Sequence, residues 1–325
     1  MHAHSRLASQ TQRISPGSGL NVGFHIDPLA FTLMSGTAVI LMAYGSPERI
    51  ADVPAYYADI RGGRPIAPEN LADLVERYRR LGIEDSSPLN AITEETRAAL
   101  ERELGLPVYS GMKHWTPRIA DAVESALAGG AEEIVGLVLA PHYSSMSIAG
   151  YRKLIDAALT DRVRLHFVES WHDEPGFVEL LAERVRGTAA HVVFTAHSLP
   201  ARIIDAGDPY RDQLLETAGL VAHLAGLTEW SFSFQSESPT GEPWLGPDIL
   251  DHLEALHRQG VESVLVCPVG FVSDHLEIRW DLDVEAKEKA VELGMELTRI
   301  EMPNADPEFV RTLAGIVNRA LSVPS

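Results

Sequence analysis

The chain has 325 residues, of which 45% are hydrophobic and 22% charged, with a formal net charge of −19. That length suits two domains rather than one, and that acidity excludes nucleic acid and anionic membrane as partners unless a basic patch is set aside for them. Its single cysteine, Cys267, excludes an intrachain disulfide and a cysteine-bound zinc or iron–sulfur site, and suits a reducing compartment.

Residues 1–35 read as a loose polar tail. They lack the basic start, apolar core and small-residue cleavage site of a signal peptide. Met34 stands just ahead of the first convincing strand and is a candidate natural start. No apolar run reaches the roughly 18 residues of a membrane span. A cytoplasmic monomer is the expectation.

From Thr37 onward, short β-branched apolar runs alternate with amphipathic helical stretches. Strands are predicted at Thr37–Met42, Glu133–Leu139, Val163–Val168, His191–Thr195, Ser263–Val269 and Met295–Ile300, with helices between them. This alternation predicts an α/β fold with parallel sheets.

An internal repeat sharpens that prediction. TAVILMAYGSP at 37–47 matches AHVVFTAHSLP at 190–200, with Tyr44 and His197 in register. Thr116-Pro117 then opens one helix, with Thr116 as its cap, and Gly246-Pro247 opens another. Proline and the closing glycine are 13 apart in both copies, 117 to 130 and 247 to 260, and a strand follows each. Three matched elements in the same order indicate a duplicated half. Ligands of parallel sheets bind beyond the carboxyl ends of the strands, so Tyr44, His142, His197 and the segment after Val269 should line one cleft. Asp306-Pro307-Glu308 opens a last helix, expected to pack back on the first half.

Three groups of residues could carry chemistry. In DHLEIRWDLDVE at 274–285, a helix would put Glu277, Asp281 and Glu285 on one face at i, i+4 and i+8. Like charges at that spacing disfavour a helix by roughly 0.2–0.5 kcal/mol per pair, so the ladder is either a solvated face or a place for cations. The apolar run SVLVCPVGFV leads straight into it, which should bring Glu277 out inside the cleft. His197 is either a structural hydrogen-bonder or Glu277's partner in a mixed N/O site. Such a site suits divalent iron or zinc, and the imidazole can accept a proton. Between 61 and 80, Arg61, Arg64, Arg77, Arg79 and Arg80 outnumber Glu69, Asp73 and Glu76, a net of +2. That segment is either a charged helix face with local pairs or a grip on an anionic ligand.

The motifs MAYGSP at 42–47, RGGRP at 61–65, SSPL at 86–89, GMKHWTP at 111–117, LAPHYSSMS at 139–147, VESWHDEPGF at 168–177, TAHSLP at 195–200, WLGPD at 244–248 and PVGFVSDHLE at 268–277 together resemble the ferrochelatases. The likeness covers about 37–322, and the pattern is most similar to the coproporphyrin ferrochelatases of Gram-positive bacteria. It implies two similar Rossmann-like, chelatase-type halves, each a parallel sheet flanked by helices, with the active-site cleft between them. The expected division is 36–166 plus 299–325 for one half and 167–298 for the other.

By the same resemblance, His197 and Glu277 face the porphyrin and handle Fe2+ and the pyrrole protons. Tyr44 lies on the other side of the macrocycle as an axial ligand of the product. Arg61, Arg77, Tyr78, Ser87 and Tyr151 hold the propionates, and Asp281 and Glu285 form an outer cation site. Iron is then a substrate, with no permanently bound cofactor and no iron–sulfur cluster. The expected reaction is insertion of Fe2+ into coproporphyrin III in haem biosynthesis. The alternatives are insertion into protoporphyrin IX, a chelatase for cobalt or nickel, and a non-enzymatic tetrapyrrole or haem carrier. A downstream haem-pathway enzyme or an iron donor is open as a partner.

Overall fold

Thr37–Ala43 (β1) is buried along its whole length, as expected of a parallel strand covered on both faces, which reads as an unbroken apolar run. The computed structural model describes residues 36–64, 66–83, 87–160, 162–238 and 240–322; the expected tail, 1–35, lies outside the described residues. β1 pairs in parallel with Val108–Met112 (β2) and Glu133–Val138 (β3), and β3 pairs with Arg164–Val168 (β4). The second sheet holds His191–His197 (β5), Trp230–Gln235 (β6), Ser263–Cys267 (β7) and Glu296–Arg299 (β8).

The sheet orders are β2-β1-β3-β4 and β6-β5-β7-β8. Each therefore runs second, first, third, fourth along its own half, so the sequence repeat is also a repeat of topology. The six predicted strands are present, with ends displaced by one or two residues. The two that sequence reading missed, β2 and β6, are matching edge strands. An edge strand has one neighbour and no need of a continuous apolar run.

The helix starts correct one expectation. The helices are Ile119–Ala128 and Ile249–Arg258, so Thr116 is not a cap and neither proline occupies a first turn. Both prolines follow cis peptide bonds. The Pro117 carbonyl accepts from Met112 N–H at 2.7 Å, and the Pro247 carbonyl accepts from Phe234 N–H at 2.8 Å. Each proline thus serves the end of an edge strand, and the helix begins only afterwards. Asp248 caps the second helix by accepting from Leu250 N–H at 2.8 Å.

Alternation along the central strands sorts the core into layers. Val39 and Leu41 of β1 join Val192 and Phe194 of β5 in one core between the sheets, filled by Phe177, Leu181, Leu214, Phe309 and Leu313 from three helices. Ala38, Ile40 and Met42 face the other way, onto Ile119–Ala128 and the helix Ile148–Ala158. In the second half, Val193, Val264 and Val266 face Ile249–Arg258 and the segment 278–290. Each large side chain so buried contributes roughly 1.5–3 kcal/mol. The last helix, Pro307–Ser322, packs against Pro88–Leu104 and Pro175–Val185. Among the described residues, no helix is long and apolar enough to cross a membrane.

Candidate active site

β5 ends on His197, and several bonds fix that residue. Its carbonyl accepts from Tyr210 Oη at 3.0 Å. Its Nδ1–H donates to the Ser198 carbonyl, which turns Nε2 toward Glu277. Ser198 is itself held: its N–H donates to the Gln235 carbonyl at 2.7 Å and its Oγ to the Leu245 carbonyl at 2.7 Å.

Glu277 arrives by the loop after β7. Gly270 lets that loop close on β5: a Cβ there would lie 2.5 Å from the Ala196 Cβ. Its N–H donates to the Thr195 carbonyl at 3.2 Å. The result places His197 Nε2 3.5 Å from Glu277 Oε1, with side chains 30% and 42% exposed. The two residues that the sequence singles out therefore meet, in an opening that solvent reaches.

The acidic ladder continues from Glu277 on a π-helix, Ile278–Ala286, followed by an α-helix, Lys287–Glu292. Its N–H groups bond five residues back rather than four, a form that recurs at functional sites. The segment is thus helical, in the π form rather than the α form. Ile278, Leu282, Ala286 and Ala290 are buried, beside Glu277, Asp281 and Glu285, and both rows repeat every four residues. The middle rung of the ladder is not solvated, since Asp281 is only 8% exposed, while Glu277 and Glu285 are half-buried. Asp281 accepts from Ser236 Oγ and at 3.5 Å from Gln235 Nε2. Gln235 also reaches the Glu277 carbonyl at 3.4 Å and accepts from Thr195 Oγ1 at 3.0 Å. It belongs to the overlooked β6, opposite His197 in register.

Electrostatics follow from this packing. Burial opposes charge on His197, but the Glu277 carboxylate and its hydrogen bond outweigh that and raise the imidazole to about 9. Burial likewise opposes charge on Glu277, and His197 overcomes it, to about 2. Asp281, buried beside Glu277, is raised to about 7. One proton thus sits on His197, facing one carboxylate. Among the described residues, no three His, Cys, Asp or Glu side chains are gathered into a metal cage.

Tyr44 projects from the end of β1 and is 41% exposed. Burial of its hydroxyl and the Glu277 charge push the phenol well above its ordinary value. The ring lies 4.6 Å from that of His114, centroid to centroid. His114 in turn holds Asp59 at 2.8 Å, and Arg118 grips the same carboxylate at 2.8 Å. Sequence reading gave His114 no role; its signal was the GMKHWTP motif, whose backbone N–H at 114 bonds the Tyr44 carbonyl at 2.9 Å. Gly45 is required here, because its φ is +84° and a Cβ would lie 2.7 Å from the Trp115 Cβ.

The expected anion grip is only partly on view. Arg77 pairs with Asp73 at 3.0 Å, and its guanidinium carbon lies 5.2 Å from the centre of the Trp280 ring. Arg80 lies 4.9 Å from the same ring and pairs with Glu288 at 2.9 Å. The helix Pro68–Arg80 therefore leans on the π-helix across the chain. Tyr78, Ser87 and Tyr151 are buried. Burial raises Tyr78 most, with the Glu277 charge adding and a hydrogen bond to Ser46 opposing. Tyr151 lies under the Lys113 ammonium, 5.0 Å from its ring centre. Arg61 is exposed, and its carbonyl accepts from Arg64 Nε at 2.9 Å. His142 does not line the cleft. It is buried, its Nε2–H donates to Thr217 Oγ1 at 2.9 Å, and burial with His172 lowers it to about 3.

Two parallel sheets of matching order, with an imidazole–carboxylate pair beyond their strand ends, define a chelatase-type fold. SirB from Bacillus subtilis with Fe3+ shares that fold, with a TM-score of 0.57 and 14% identity over 88% of this chain and 95% of that one. The ferrochelatase family model matches residues 36–321, and the chain belongs to that family. A ferrochelatase of Herpetosiphon aurantiacus is 44% identical over 86% of this chain and 98% of its own length. One of Deinococcus radiodurans is 44% identical over 86% and 95%. A coproporphyrin III ferrochelatase of Halalkalibacterium halodurans is 43% identical over 87% and 97%.

Proposed function

We propose that this ferrochelatase inserts Fe2+ into coproporphyrin III to give its iron complex, with His197 and Glu277 as the residues that handle the metal and the pyrrole protons. The observation that carries the reading is their 3.5 Å approach. Insertion releases two N–H protons for each Fe2+ that enters. Nitrogen and carboxylate oxygen suit Fe2+, and the same two groups can take protons. Tyr44 stands at the end of the first sheet and serves as the axial ligand on the other side of the macrocycle. Asp281 and Glu285, behind Glu277, serve as the outer cation site. Iron is substrate, and the reading calls for no resident cofactor.

Arg61, Arg77, Tyr78, Ser87 and Tyr151 hold the propionates in this reading. Grip at the rim supplies binding energy to pucker a flat ring and present its N–H groups. The Arg-rich 61–80 segment and the H. halodurans relative favour four carboxylates over two. The relatives called simply ferrochelatase keep protoporphyrin IX as a second reading. Side-by-side insertion rates decide: faster metallation of coproporphyrin III supports the first reading, and faster metallation of protoporphyrin IX supports the second. A protein that binds both iron porphyrins and metallates neither is a carrier.

A further inference from the structure

Among the described residues the Glu277 side chain has the 3.5 Å ion pair with His197 as its one polar contact, so its place depends on the backbone that carries it. That backbone is tied at both ends by one side chain. Arg299 is the last residue of β8, and its side chain is 14% exposed. Its Nε donates to Asp283 Oδ1 at 2.8 Å, and Nη2 to Asp283 Oδ2 at 2.8 Å. The same Nη2 donates to Asp274 Oδ1 at 2.8 Å, and Nη1 to the Ile300 carbonyl at 3.0 Å.

Asp274 lies three residues before Glu277, and Asp283 two after Asp281. Asp274 is pinned further: its Oδ2 accepts from Asn304 Nδ2 at 2.9 Å, and its N–H donates to Asn304 Oδ1 at 2.8 Å. Asn304 N–H donates to the Val272 carbonyl at 2.8 Å. We propose that Arg299 is a positioning residue for iron insertion, a clamp that joins the two flanks of the segment carrying Glu277 and Asp281. This rests on the role proposed for Glu277.

The fork geometry matters. A planar guanidinium offers paired donors to one carboxylate and a further donor to another, whereas an ammonium is a point charge. Loss of the clamp leaves two carboxylates without their cation and releases the Asp283 flank from the Asp274 flank, which Asn304 still holds. A shift of about 1 Å in a reacting group costs on the order of 100-fold in rate.

The test uses the full chain with Arg299→Gln, Arg299→Lys, Asp283→Asn and the double substitution of Arg299→Gln with Asp283→Asn. Iron insertion is followed at saturating coproporphyrin III, porphyrin affinity by fluorescence titration, and folding by thermal melts. Arg299→Gln is expected to lower kcat about 100-fold, with porphyrin affinity within about twofold of the parent. Arg299→Lys should recover only part of the loss, and the double variant should be no worse than Arg299→Gln. A folded Arg299→Gln with the parent kcat overturns the clamp. Loss of porphyrin affinity in step with kcat also overturns it, because that marks a general structural role. If Arg299→Gln does not fold, Asp283→Asn decides: lower kcat at unchanged affinity supports the clamp, and unchanged kcat overturns it. Absence of insertion by the parent enzyme overturns the functional reading beneath it, a result distinct from any of these.

Discussion

His197 Nε2 faces Glu277 Oε1 at 3.5 Å, and the other ring nitrogen of His197 is bonded to the Ser198 carbonyl. The pair is an ion pair over a defined pH range. The imidazolium is raised to about 9, so its contribution to stability is complete below the ordinary value of 6.5 and is lost as pH rises through about 9. The carboxylate is lowered to about 2, so its contribution is complete above 4.5 and is lost as pH falls through about 2. The melting-temperature deficit of His197→Ala should therefore be largest between 4.5 and 6.5 and shrink above 9.

Asp281 carries the opposite sign. Burial and the Glu277 charge raise it to about 7, against 3.8 in the unfolded chain. It costs no stability below the unfolded value, and the cost grows as pH rises to about 7. A rise from 3.8 to about 7 corresponds to roughly 4 kcal/mol as an upper bound. Asp281→Asn should raise the melting temperature near pH 8, with little gain near pH 4, while iron insertion falls. Equal melting temperatures near pH 8 would contradict this placement of the carboxylate.

Much of this was legible before any coordinates. The strands β1, β3, β5 and β7 are inner strands, buried on both faces, and their apolar runs stand out. The TAVILMAYGSP and AHVVFTAHSLP repeat marks two halves, and it places Tyr44 and His197 at equivalent strand ends. His197 and Glu277 were legible as chemistry because polar side chains followed apolar strands. What was not legible depends on distance along the chain. Gln235 joins Thr195, Glu277 and Asp281 from an edge strand whose W-S-F-S-F-Q pattern lacks a long apolar run. Arg299 reads as one more surface cation until folding brings Asp274 and Asp283 to it. His142 follows a strand as His197 does, but helix Tyr210–Ala225 covers it. The four-residue repeat of Ile278, Leu282 and Ala286 marks a buried helix face, and nothing in that spacing separates an α-helix from the π-helix found there.

Gly270 should tolerate no side chain. Gly270→Ala forces a methyl against Ala196 at 2.5 Å, and such overpacking costs about 1–3 kcal/mol. The loop must then back away from β5, taking Glu277 with it. A lower melting temperature and slower insertion are expected together. An unchanged enzyme would show that the loop does not depend on this contact.

Trp280 should matter for porphyrin more than for metal. Two guanidiniums lie about 5 Å from its ring centre, each such contact contributing roughly 0.5–2 kcal/mol. Trp280→Leu removes the ring beside Arg77 and Arg80 while their pairs with Asp73 and Glu288 remain, and KM for coproporphyrin III should rise roughly tenfold. Trp280→Phe should keep most of the affinity. A Leu variant with the parent KM would remove Trp280 from the arrangement of the Arg-rich helix.

The central claim is best tested by single substitutions at the pair itself. Iron insertion and coproporphyrin III binding are measured side by side for His197→Ala and Glu277→Gln. The account predicts that each variant binds the porphyrin and inserts no measurable iron. Near-parental turnover in either folded variant would contradict it.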